Sequence, residues 1–173
     1  NDGDFSIKAL KGRINSDLAN DLGNLCQRSL SMANKHLNNE IHYISLDDAE
    51  LKILESAIEL NNNLKDMAML QNISDYIKAV WELINTANKY FNESEPWKIV
   101  KSDIKQLNKI LFTTAELIKI IAIYIFPIMP KTSEKIFNFL NIDKNNLNAD
   151  YLKIEQSKSY KLNTIEALFP RIN

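Results

Sequence analysis

Asn24 and Arg28 stand one helical turn apart in the stretch NDLGNLCQRS, residues 20–29. An amide carries both a donor and an acceptor, and a guanidinium presents a rigid fork of N–H donors. Such groups grip a base edge or a phosphate in bidentate fashion. Arg occurs only at positions 13, 28 and 171, and Lys supplies the remaining basic groups. A position that needs a planar fork cannot take Lys, and Asn gains nothing from an exposed mid-helix place. The same pattern also fits an ordinary solvated helix face, and spacing alone leaves both readings open. Gly23 either lets a second helix approach or costs about 1 kcal/mol in helix propensity.

Trp97 is the second unusual residue. It follows Pro96 in SEPW, so it falls in the first turn of a short helix, where Pro is well placed and the ring is held rigidly. Such an indole is either a lid on the core or a platform for a base. Stacking on an aromatic ring is worth roughly 1–3 kcal/mol per base and needs no net positive charge.

Other chemistry is hard to find. His36 and His42 have no Cys pair and no metal-ligand spacing around them. There is no P-loop, dinucleotide fingerprint or nucleophile elbow, and no Glu-x-x-His pair of a di-iron bundle. The carboxylates are scattered over helix surfaces. The expectation is no catalytic residue, no metal and no cofactor in this chain.

The elements that position these residues are helical. Leu18, Leu22, Leu25, Cys26, Ala33 and Leu37 recur at helical spacing and predict a helix over 16–37. Its opposite face carries Asn24 and Arg28 together with Asp21, Ser31 and Lys35. Asp47, with Glu50 three residues on, predicts a capped helix reaching about residue 70. Ser74 is expected to start a third helix. Its apolar stripe runs Ile77, Val80, Trp81, Ile84, Ala87 and Phe91, with Asn88 as one polar interruption. Ser94 is expected to cap the short Pro96 helix. Residues 103–126 are amphipathic early and apolar nearly all round later, which predicts a central helix ended by Pro127 and Pro130. A shorter helix spans TSEKIFNFL, and a lead-in helix is expected around SIKALKGRI. The closing segment is a polar loop with room for a short strand or hairpin. The fold class is all-α, a helical bundle of about five main helices.

Composition agrees. With 173 residues, 45% hydrophobic and 25% charged, the chain can form one domain with a sizeable core. Three Gly and four Pro suit long helices better than many turns. The single Cys cannot form an internal disulfide, which suits a reducing compartment. The formal net charge is −1, so RNA binding would have to be local and not driven by bulk charge. The most apolar run, LIKIIAIYIFPIMP at 117–130, is too short for a bilayer and holds Lys119. The chain opens NDGDFS without Met, which reads as part of a longer protein.

At these residues a family resemblance emerges. DGDFSIKALKGRINSDLANDLGNLCQRSLSM closely resembles the opening of the anticodon-binding domain of methionyl-tRNA synthetases. VWELINTANKYFNESEPWKIVK, PIMPKTSEKIFNFL and LFPRI resemble later hallmarks of that domain, in family order. The resemblance implies one anticodon-binding domain of the class I aminoacyl-tRNA synthetase type over 1–173. It divides into a junction segment 1–15, a bundle core 16–140 and a tail 141–173 packing on the bundle.

It also implies that Asn24, Arg28 and Trp97 contact the anticodon, with Pro96 fixing the ring. Lys35 and Lys98 are further candidates, and the sequence leaves open whether either contacts phosphate. The implied partners are methionine tRNA, initiator and elongator, read at its CAU loop, and a catalytic domain of the same chain. ATP and methionine would belong to that catalytic domain, because the His-Ile-Gly-His and Lys-Met-Ser-Lys-Ser signatures are absent here. The zinc-binding cysteines of some members are absent too, and no extra C-terminal module is expected. Neither membrane nor DNA is an expected partner, and the cytoplasm is the expected location. Two rival readings are a helical protein-interaction module and the equivalent domain of another class I synthetase. A self-contained enzyme using surface carboxylates lacks a positioned base or nucleophile.

Overall fold

The computed structural model describes residues 20–143, 145, 151–154 and 159–169. The lead-in helix expected around SIKALKGRI lies outside them. In chain order the elements are α1 (Asn24–His36), β1 (Glu40–Ile41), α2 (Asp48–Met69), α3 (Ile73–Glu93), α4 (Pro96–Ile99), α5 (Ile104–Ile125), α6 (Pro130–Phe139) and β2 (Tyr160–Lys161). Five longer helices and the four-residue α4 therefore form the described bundle.

Helix α5 is its axis. Every residue from Ile110 to Ile125 is buried, and α5 touches α1, α2, α3, α4, α6 and β1. The apolar run thus becomes a core helix. Its polar members are satisfied internally, as burial demands. Thr114 donates to the Ile110 carbonyl, and Tyr124 donates to the carbonyl of Ala57 on α2 at 2.8 Å. Tyr76 on α3 donates to the Tyr124 carbonyl at 2.8 Å.

Helix ends follow from local chemistry. Asp47 and Glu50 form the expected capping box at α2. Asp103 accepts from the Gln106 backbone N–H at 2.8 Å and starts α5. Three expectations are corrected. Helix α3 begins at Ile73, not Ser74, because Asn72 accepts from the Asp75 N–H and caps it. Ser94 does not cap α4; it closes α3, and Glu95 stands before α4 in the left-handed region with φ 43° and no side-chain cap. The α3 stripe is also rotated: Tyr76 and Leu83 are buried, while Ile77 is 36% exposed. Pro130 does more than end the preceding helix, since it occupies the first turn of α6.

The tail returns across the bundle. β1 and β2 pair antiparallel, with Glu40 opposite Lys161 and Ile41 opposite Tyr160. Tyr160 is buried and donates to Glu116 on α5. Glu116 also accepts from Lys119 at 2.6 Å, and Lys119 donates to the Lys153 carbonyl at 3.1 Å. This ion pair, 0% and 1% exposed at its two side chains, connects the central helix to the returning segment.

Candidate anticodon-loop surface

Helix α1 buries Leu25, Cys26, Ser29, Leu30 and Ala33, which turns Asn24, Gln27, Arg28 and Lys35 outward. A wider π-type turn at residues 20–23 leads into it. Such turns recur at functional sites because they re-aim the residues that follow. Gly23 itself is helical, with φ −61° and ψ −46°, so no left-handed backbone explains it. Asn88 on α3 donates to the Asp21 carbonyl at 3.2 Å as well as to its own helix at Ile84. The polar interruption in the α3 stripe is therefore a tie between α1 and α3.

That tie sets Arg28 against the C-terminal end of α3. Its Nη1 donates to Asn92 Oδ1 at 3.0 Å. Its Cζ lies 5.2 Å from the Phe91 ring centre and 5.4 Å from that of Trp97. Both are within cation–π range, and each contributes about 0.5–1 kcal/mol where solvent has access. Phe91 is buried and meets the Trp97 ring edge-on, with centroids 6.3 Å apart at 64°. The left-handed Glu95 turns the chain, Pro96 is buried behind it, and Trp97 emerges 42% exposed. The indole is thus anchored on one side and open on the other.

Of the residues singled out from the sequence, Arg28, Pro96 and Trp97 come together. Asn24 lies one turn before Arg28 on the same exposed face. Lys35 is exposed in the last turn of α1, about 10 Å along the axis from Arg28 at 1.5 Å per residue. Lys98 is paired with Glu95 at 2.8 Å on the surface, a contact of small net value that a phosphate can exchange. Asn92 was missed. Nothing in its local sequence marks it, and its partner is 64 residues away.

The arrangement suits recognition of a planar, unpaired group. The half-exposed indole has room for such a ring, and the Arg28 guanidinium beside it and the Asn24 amide one turn away on α1 supply hydrogen-bonding groups. Cys26, on the buried side of α1, has its thiol pushed up to about 12 by burial, so it is no nucleophile at neutral pH. Among the described residues, no cluster of three or more His, Cys, Asp and Glu could hold a metal. No described helix is long and apolar enough to cross a membrane. An apolar groove of about 380 Å³, bounded by Leu64, Ile73, Tyr76, Tyr124 and Ile128, lies at the other end of α3 and takes no part in this surface.

Residues 43–173 match the family described as the anticodon-binding domain of methionyl tRNA ligase. Trp97 falls inside that stretch, and Asn24 and Arg28 precede it. Over 99% of its length this chain is similar to the methionine–tRNA ligase of Fusobacterium nucleatum, at 36% identity, and to that of Caldanaerobacter subterraneus, at 35%. It spans only 28% of each of those proteins. The crystal structure of apo Mycobacterium tuberculosis methionyl-tRNA synthetase matches with a TM-score of 0.90 at 32% identity. That match covers 98% of this chain and 35% of the solved one.

Proposed function

Because this chain belongs to the anticodon-binding domain family of methionyl tRNA ligases, we propose that it reads the CAU anticodon loop of methionine tRNA. Trp97 stacks on a splayed base, and Arg28 and Asn24 hydrogen-bond base edges, the first-position cytosine foremost. Lys35 and Lys98 serve the backbone. The observation that carries this reading is the Arg28 guanidinium held between Phe91, Asn92 and a half-open Trp97. Proteins commonly read RNA through unstacked loop bases laid on aromatic rings.

The geometry also fits the charge. At net −1 the domain gains little from counterion release, so stacking and edge recognition must dominate. This chain takes no catalytic role in the reading. The longer cytoplasmic protein joins methionine to initiator and elongator tRNA using ATP bound in a separate catalytic domain.

Titration of this chain with a CAU-loop hairpin, and with one whose cytosine is changed, tests the proposal. Preference for the CAU loop is the expected result. Equal binding of both loops favours a protein-interaction module instead, and preference for a different anticodon favours another class I synthetase.

A further inference from the structure

We propose that a second cleft, on the other flank of α1, holds another unpaired base of the same RNA loop. The proposal rests on the anticodon-loop reading above. Ser31 and Asn34 from α1, Asn39 from the turn after it, and Asn163 and Thr164 from the tail line a cleft of about 440 Å³ with Leu162 also at its wall. That volume is within the range of sites for small planar ligands.

Position along α1 links this cleft to the Trp97 surface. Ser31 and Asn34 follow Arg28 by about 4.5 and 9 Å along the helix axis. They are rotated from it by roughly 60° and 120° around that axis. Gln27 donates to the Ser31 hydroxyl at 3.0 Å, so a polar stripe runs unbroken from Asn24 to the cleft. The two sites flank one helix about 10–12 Å across, and an RNA strand splayed over α1 reaches both.

The lining chemistry selects a base edge over a phosphate. Asn34 donates to Asn39 Oδ1 at 2.6 Å, which leaves Asn34 Oδ1 as an acceptor and Asn39 Nδ2 as a donor, neither with a partner among the described residues. Asn39 stands in the left-handed region at φ 64°, a conformation Asn tolerates better than most residues. Its carbonyl accepts from the Leu162 N–H at 2.8 Å, and Asn163 donates to the Asn138 carbonyl at 2.7 Å. The amides are thereby fixed before any ligand arrives. Acceptor and donor side by side match a nucleobase edge, and none of the described residues lining the cleft is a cation that would favour phosphate.

The test is a scan of the CAU hairpin in which each loop base in turn is made abasic, titrated against this chain and two variants. Thr164→Phe fills the cleft from an exposed position. Asn34→Leu keeps bulk and removes the amide. Both variants are expected to bind the intact loop about tenfold more weakly, the cost of one lost base contact. Both should equal the parent chain on a hairpin abasic at one position other than the first anticodon base. Parent-like binding of every loop by both variants overturns the cleft, as does an equal loss on every loop. If Trp97→Ala weakens binding while neither cleft variant does, the anticodon reading stands and the cleft falls. If the parent chain discriminates no loop, both fall.

Discussion

Arg28 and Asn92 share a hydrogen bond of 3.0 Å across 64 residues of sequence. The carboxamide accepts from one end of the guanidinium and keeps its plane near the two rings. Arg28→Lys removes the fork and leaves a mobile point charge. Asn92→Ala removes the acceptor alone. Both are expected to weaken binding of a CAU hairpin, Asn92→Ala by roughly 0.5–1.5 kcal/mol, with unchanged helicity. Fluorescence anisotropy with a labelled hairpin measures it, and binding by Asn92→Ala equal to the parent chain argues that Arg28 needs no support.

Trp97 is 42% exposed, so its removal leaves little cavity. Trp97→Ala is expected to cost about 1–3 kcal/mol in hairpin affinity with a minor change in unfolding midpoint. Trp97→Phe, which keeps a stacking face, should recover part of it. A large fall in stability with no change in RNA affinity would make the indole a lid on Phe91.

The buried Glu116–Lys119 pair yields a stability prediction. Glu116→Ala strands Lys119 in the core and removes the partner of Tyr160. Breaking such a pair costs about 3–5 kcal/mol. Glu116→Ala with Lys119→Met is expected to be more stable than Glu116→Ala alone, because no uncompensated charge remains. Urea unfolding of the three chains measures the difference.

Cys26 sets the alkaline limb of stability. Its thiol is held protonated in the fold up to about 12, against 9.0 ordinarily. Between these values the unfolded chain loses the proton and the folded chain keeps it. Stability therefore falls as pH rises, by up to about 1.4 kcal/mol per pH unit across that window, and is unaffected well below it. Burial also raises the hydroxyls of Tyr76, Tyr90 and Tyr124 from 10.0. Their effect has the same sign and begins later. Cys26→Ala should delay the onset of alkaline destabilisation by about one pH unit, read from thermal midpoints across pH 8–11.

What was legible in the sequence was whatever depends on neighbours in the chain. The Asp47–Glu50 box names its own partners, and the apolar all-round run of α5 can only be interior. Arg28 and Trp97 were visible as residue types, since a rare Arg and a Pro-anchored Trp stand out by composition and place. Their meeting with Phe91 and Asn92 was not visible, because it depends on how α1 crosses α3. Asn88 looked like a flaw in a stripe until its bond to the Asp21 carbonyl gave it a purpose. Glu95 gave no sign of its left-handed backbone, because nothing in its type favours one. The Asn34–Asn39 cleft needs the tail, whose return to β1 no local pattern announces.

That return has a temporal side. His42 contacts Ser159 across 117 residues, next to the ladder that joins Glu40–Ile41 to Tyr160–Lys161. During translation at about 5–20 residues per second, the stretch leaving α1 waits roughly 6–25 s for its partner strand to be made. Throughout that interval a nascent polypeptide holds the Glu40–Ile41 edge unpaired, so this ladder closes last, once synthesis has passed residue 161.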